Sequence, residues 1–231
     1  MSLLVWQYWE GPMPPYVELC IETVRRHHPD ARLLDRGSFD ELWTTDRDVP
    51  LDQLGPQHRS DFVRAWLLHH HGGVWVDADF VLLRPFDELF ALPDPLTFSG
   101  YREAEEQFAN NLMFSREGDP VLAAYYARVA AHLRAGEEIK WLEIGAYPLT
   151  AAVEAHRDSV SVIDPELVYP IPWHEAERYE APGTAEQLVE PPRVGAMLSN
   201  NSLSEDMRSR SRDDVLNGDS LLGDLLRRAL G

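Results

Sequence analysis

The chain has 231 residues, 44% of them apolar, and a formal net charge of −18. That length and apolar content suit one buried core, and the negative balance excludes a nucleic-acid binder, which needs clustered positive charge to displace counterions from phosphates. It also argues against an anionic membrane surface, and a negatively charged small ligand would need compensation from a few arginines or a divalent cation.

In chain order, Leu3 to Trp9 is a short apolar and aromatic run closed by Gly11-Pro12 and Pro14-Pro15, which predicts a buried strand and a loop. The opening lacks the basic start and long apolar stretch of a signal peptide, and no run approaches the roughly 18 apolar residues of a membrane span, so the expectation is a cytoplasmic protein. Val17, Ile21 and Val24 recur at helical spacing until His28-Pro29-Asp30, and Ala31 to Leu34 reads as a second strand. Cys20, the single cysteine, has no partner for a disulfide or a zinc site and reads as a small buried side chain. The β-α-β opening favours an α/β fold with a mostly parallel sheet, whose ligands sit beyond the carboxyl ends of the strands. A helix is expected to start near Ser60 as N-cap, to carry Phe62, Val63, Trp66 and Leu67, and to end at Gly72-Gly73. Val74 to Val76 then forms a buried strand. Asp77-Ala78-Asp79 lies at its carboxyl end, where alternation points both carboxylates to one side.

Further on, Phe98–Tyr101 and Asn111–Ser115 are strand candidates separated by the acidic stretch Glu103 to Glu106. Pro120 opens a helix whose stripe of Val121, Leu122, Tyr125, Tyr126, Val129 and Leu133 reads as core. Val160 to Pro172 reads as a strand and a proline-rich turn, and Thr184 to Val194 as a polar linker. The last helix, with Leu221, Leu222, Leu225, Leu226, Ala229 and Leu230, is amphipathic; it docks on the body or forms a dimer face. His69 to His71 and His27-His28 read as helix ends, because consecutive helical residues face different ways and cannot form one metal cluster.

Two carboxylates one residue apart at a strand end can share a divalent cation. A D-x-D triplet by itself is as readily a solvated strand terminus, so the weight falls on the string around it: Ser60-Asp61, Arg64, Gly72-Gly73, Trp75, Asp77, Asp79 and Arg84-Pro85. This string resembles the donor-site core of the DXD sugar-transferase superfamily, which includes glycosyltransferase family 32, capsular-polysaccharide-synthesis proteins and glucosylating clostridial toxins. Trp6-Gln7-Tyr8-Trp9, with Pro15, Val17 and Cys20 after it, looks most like the capsular-polysaccharide branch. Asn110-Asn111-Leu112-Met113, Gly118, Pro120 and Ile144 to Pro148 also resemble the family pattern.

The resemblance implies a GT-A-like fold and one domain over residues 1–231, with a donor-binding core at about 1–115 and the acceptor side and C-terminal closure at about 116–231. It implies a retaining, metal-dependent transfer of a sugar from a nucleotide-diphosphate donor, a UDP- or GDP-sugar, to a glycan, natural-product or protein hydroxyl. Trp6 would stack on the nucleotide base, unless it is a core tryptophan, and Gln7 and Asn111 would join it in donor binding. Asp61 and Arg64 would hold the donor sugar, or else form a salt bridge within their helix. Asp77 would contact ribose, sugar or metal-bound water. Asp79 would bind Mn²⁺ or Mg²⁺, with Asn201 and Ser202 as candidate late ligands where family members bring a histidine or asparagine near a tryptophan. Asp77, Asp79 and Arg64 are thus the expected catalytic set; no nucleophile is marked out, and Glu143 and Glu105 are candidates for the acceptor side or plain surface acids. The alternatives are a metal-dependent hydrolase of nucleotide sugars or phosphoesters, and a sugar-nucleotide binder that has lost transfer.

Overall fold

The computed structural model describes residues 3–103 and 107–231. Glu105 lies outside the described residues. The first strand, β1 (Val5–Tyr8), is followed by α1 (Pro15–His27), β2 (Arg32–Leu34), α2 (Arg36–Leu42), α3 (Pro56–His71) and β3 (Gly73–Val76). Then come β4 (Phe80–Leu82), α4 (Asp87–Phe90), β5 (Phe98–Arg102), β6 (Phe108–Ser115), α5 (Pro120–Ala135), α6 (Ala146–Ala155) and β7 (Val160–Ile163). The chain closes with α7 (Glu186–Val189), β8 (Gly195–Met197), α8 (Glu205–Ser209), α9 (Arg212–Asn217) and α10 (Leu221–Leu230).

The main sheet has six strands in the order β2-β1-β3-β6-β5-β7. β1 runs parallel to β2 and β3, and β5 parallel to β7, while β6 alone is reversed between β3 and β5. The expected mostly parallel α/β sheet is therefore the observed one. One face carries Trp6, Trp75 and Met113 against α3, α5 and α6; the other carries Val5, Val74, Val76 and Leu112 over a second core layer. α10 docks on α1, and Leu222, Leu225 and Leu226 are fully buried there, so the amphipathic helix packs on the body. Each such leucine contributes on the order of 2 kcal/mol by burial.

Several boundaries differ from the sequence reading. α3 starts four residues earlier than Ser60, with Gly55 as N-cap and Pro56 in the first turn, where its missing N–H costs nothing. Ser60 is inside the helix, and its backbone carbonyl and hydroxyl both accept from Arg64. The helix end falls where expected: Gly72 caps it at φ 61°, and Gly73, at φ 96°, opens β3. A side chain on Gly73 would meet Leu4 O at 2.4 Å, so only glycine fits between the two elements. A short antiparallel ribbon, β4 with β8, is an addition that the sequence did not suggest. Thr184 to Val194 is not a free linker: it contains α7, and Arg84 donates to the carbonyls of Val189 and Arg193.

Candidate active site

The carboxyl ends of β1 and β3 lie next to the start of β6 and to the turn before β4. Asp61 and Arg64, one helical turn apart on α3, point into this corner and are 9% and 6% exposed. The Arg64 guanidinium donates to Asn110 O at 2.8 Å and Ser60 Oγ at 3.0 Å, and lies 5.0 Å from the centre of the Trp75 ring. Its Nη2 sits 3.3 Å from Asp77 Oδ1 and 3.6 Å from Asp61 Oδ1. The intrahelical ion pair thus exists, but Arg64 is shared, and its nearer partner is Asp77.

Asp77 is fixed on three sides. Trp75 Nε1 donates to its Oδ1 at 2.7 Å, its own N–H bonds Asn111 O at 2.8 Å, and Arg64 closes the third side. Its side chain is 28% exposed, and among the described residues nothing donates to Oδ2. Asp79 follows after a tight turn in which Phe80 N–H bonds Asp77 O, so the strand alternation expected to align the two acids has already ended. The turn, rather than the pleat, brings the acids together. Asp79 is 7% exposed and ties to the C-terminal part: its Oδ2 accepts the Asn200 N–H at 2.6 Å, and Asn200 Oδ1 accepts the Tyr16 hydroxyl.

Burial raises the pKa of Asp61 and of Asp77 above the usual carboxylate range. Asp79 is pushed up to about 6, first by burial and then by the neighbouring charge of Asp77. Two carboxylates pair with one guanidinium and a third lies beside them, which leaves two negative charges in a confined corner when all are ionised. Such a site asks for a cation. Among the described residues no three His, Cys, Asp or Glu side chains converge into a ready-made metal cage. The oxygen-only donors, one without any hydrogen bond, nevertheless suit a hard ion such as Mg²⁺ or Mn²⁺, since Mg²⁺ commonly takes one or two carboxylates and completes its shell with substrate phosphates and water.

Not every residue singled out in the sequence arrives at this corner. Trp6 is 1% exposed, with its indole N–H bonded to Gly72 O at 3.1 Å and Arg32 over its ring at 5.3 Å, so it is a core tryptophan and offers no face to a base. Gln7, also 1% exposed, lies at the end of β1 and keeps a buried, unpartnered Nε2. Asn111 is in the corner: its carbonyl holds the Asp77 N–H, and its side chain accepts the Tyr101 hydroxyl at 2.7 Å. Asn201 and Ser202 are exposed, and the residue of their turn that meets Asp79 is Asn200. The sequence reading missed Tyr16 and gave no site role to Asn200 or to Asn110, which it named only within the Asn110 to Met113 motif. Asn110 donates to Asp61 Oδ1 at 2.7 Å because the β5–β6 register shifts beside it and turns it towards α3, which the Asn-Asn pair alone does not reveal. A cleft of about 610 Å³ runs past the ends of β1 and β2, lined by Trp9, Glu10, Met13, Leu33, Asp35 and Arg36.

A family model described as capsular polysaccharide synthesis protein matches residues 2–138, more than half of the chain. The chain belongs to the capsular polysaccharide synthesis family. The matched segment contains Asp61, Arg64, Asp77, Asp79 and both asparagines of this family member's corner, and stops short of Asn200. No curated protein matches the chain. Among solved structures, the apo-form glycosyltransferase GlyE of Streptococcus pneumoniae TIGR4 superposes with a TM-score of 0.56 at 12% identity, covering 100% of this chain and 61% of GlyE. The bifunctional glycosyltransferase WbbM, also apo, gives 0.52 at 11% identity over 72% of this chain and 39% of WbbM. This family member thus has a glycosyltransferase fold and spans less than two thirds of the length of GlyE and well under half of WbbM. No helix among the described residues is long and apolar enough to cross a membrane.

Proposed function

We propose that the protein is a metal-dependent, retaining glycosyltransferase that moves a sugar from a UDP- or GDP-sugar to a hydroxyl acceptor. One observation carries this reading: at the carboxyl ends of β1 and β3, Asp61 and Asp77 flank the Arg64 guanidinium at 3.6 and 3.3 Å, and Asp79, close enough to feel the charge of Asp77, adds a third buried carboxylate. Family membership and fold agree with it, and the unbalanced charge gives it a physical reason. A Mn²⁺ or Mg²⁺ ion, when bound, would neutralise the negative charge that develops on the leaving diphosphate.

The chain's own residues then divide the work. Asp79, oriented by the Asn200 N–H, is assigned to the metal, and Asp77, clamped by Trp75 and Arg64, to the metal site's edge and the ribose or donor sugar. Arg64 and Asp61 are assigned to the donor-sugar hydroxyls, with Asn110 and Asn111 fixing Asp61 and Asp77 from β6. The cleft beside Trp9 and Leu33 takes the nucleoside in place of the Trp6 platform. Residues up to about 115 hold the donor, and the later part closes the site through Asn200.

A thermal-shift panel of UDP-, GDP- and TDP-sugars, with and without Mn²⁺, tests the reading. A donor at about 100 times its Kd stabilises by about 2.7 kcal/mol, a rise of roughly 5 to 10 °C for a chain of this size. We expect such a rise with one donor, only when Mn²⁺ is present, and its loss in Asp79→Asn. Donor turnover that needs no acceptor would show a hydrolase instead. Metal-independent binding in a folded Asp79→Asn variant would sink the metal assignment.

A further inference from the structure

Four large apolar side chains among the described residues stand more than half exposed: Trp141, Tyr147, Val162 and Trp173. Val162 lies on the edge strand β7, but the three aromatics belong to two segments that border the carboxylate corner. Trp173 begins a short helical turn, Trp173–Tyr179, that packs against the Asn200–Ser202 turn holding Asp79. Its backbone N–H is held by the Tyr169 hydroxyl at 2.6 Å; Tyr169 packs on Tyr101, whose hydroxyl bonds Asn111. The second segment approaches from the α3 side. Gly145, the N-cap of α6, is so close to the corner that a side chain there would meet Asn110 Nδ2 at 2.9 Å and Asp61 Oδ1 at 3.4 Å. Trp141 and Tyr147 stand on either side of this glycine in the chain, 63% and 51% exposed.

Aromatic rings left exposed on segments that border a site are suited to receive a ligand with an apolar face. The charge around them narrows the choice. Glu137, Glu138 and Glu143 outnumber Lys140 beside Trp141, and Glu175 and Glu177 outnumber Arg178 beside Trp173, in a chain of net charge −18. These carboxylates accept hydrogen bonds from hydroxyl groups and repel phosphates and uronates. A pyranose offers the matching surface, with C–H faces for the rings and hydroxyls for the carboxylates.

We propose that Trp173 on one side and Trp141 with Tyr147 on the other form the walls of the acceptor subsite, and that the acceptor is an uncharged saccharide. This rests on the transferase reading above and names its acceptor class. The test uses the full chain with the donor identified by thermal shift and Mn²⁺. Transfer is measured to a panel of neutral oligosaccharides, of uronate- or phosphate-bearing saccharides, and of serine peptides and phenols. Transfer to neutral saccharides is expected, with acceptor KM raised about tenfold by Trp173→Ala and by Trp141→Ala. The donor-induced thermal shift of both variants should match that of the unchanged chain, which also shows that they fold. Transfer only to anionic or non-sugar acceptors, transfer to none of the panel by a chain that binds donor, or an unchanged acceptor KM in both variants overturns the proposal. Failure of the unchanged chain to bind any donor overturns the transferase reading instead.

Discussion

The Asp77 carboxylate is held by side chains of a single helix-strand unit, whereas the Asp79 carboxylate is held by a turn 121 residues further along the chain. Around Asp77 the partners are Arg64 on α3 and Trp75 on β3, both in regular elements and both covered by the family match to residues 2–138. Around Asp79 they are the Asn200 backbone and, behind it, Tyr16 from the opening of α1, 184 residues from Asn200. The difference teaches where a site of this kind is fixed and where it is adjustable. In the first half of the site, charge and packing fix the Asp77 carboxylate within the core. In the second, the Asp79 carboxylate is oriented by the Asn200 turn, which the β4–β8 ribbon and the Leu198 N–H bond to Asp79 O bring beside it.

Removing the shared cation of the first half should give the largest effect. Arg64→Met leaves Asp61 and Asp77 buried without their counter-charge, and a buried pair broken from one side typically costs about 3–5 kcal/mol. Urea denaturation at pH 7.5 should show that loss, and a loss under 1 kcal/mol would mean that water already reaches the pair. Asp79→Asn should act in the opposite direction. A carboxyl whose folded pKa is raised to about 6 binds its proton more tightly in the folded state than in the unfolded one. Its contribution is present below the unfolded value near 4 and is lost as pH rises through about 6. Without metal, the asparagine variant should therefore be more stable than the unchanged chain at pH 7.5, by up to about 2–3 kcal/mol, and equal to it near pH 4. A variant that is less stable at pH 7.5 would show that Asp79 is solvated in the apo protein.

The second half gives smaller effects that separate stability from ligand binding. Tyr16→Phe removes one buried hydroxyl bond, for about 1 kcal/mol of stability, and we expect weaker Mn²⁺ binding by calorimetry because the Asn200 turn is less well held. Full Mn²⁺ affinity with the same stability loss would make Tyr16 a packing residue only. Asn201→Ala, one position along, should change stability by less than about 0.5 kcal/mol, as exposed substitutions usually do. If it abolished Mn²⁺ binding, Asn201 would be a metal ligand in spite of its exposure.

The same contrast governs what could be read from the sequence. The parallel opening, the glycine stop of α3 and the sharing of one helix face by Asp61 and Arg64 follow from spacing within one continuous stretch, because helix and strand periods set the geometry there, whereas the family resemblance implied that Asp77 joins them. Asp79 was located, but its orientation depends on a turn that ends the strand alternation. Pro56 marked the true start of α3, yet Ser60 looked like the better cap because its role, holding Arg64 from inside the helix, is tertiary. Trp6 could stack or pack on sequence grounds, and only the Gly72 carbonyl and Arg32 beside it decide for packing. Asn200, Tyr16 and the β4–β8 ribbon join segments far apart in the chain, and no local pattern encodes such pairings.

The two glycines between α3 and β3 couple helix phase to strand position. Helical residues advance by about 100° each, so one residue inserted at Gly72-Gly73 would swing Asp61 and Arg64 round the α3 axis while β3 stayed in its place between β1 and β6. The guanidinium would then be turned out of its place against Asp77, and Asp61 would leave the corner with it, because the two stay on one face of the helix. A length change at this junction should therefore be far more damaging than one in the loop between α2 and α3, although both lie outside the acids themselves.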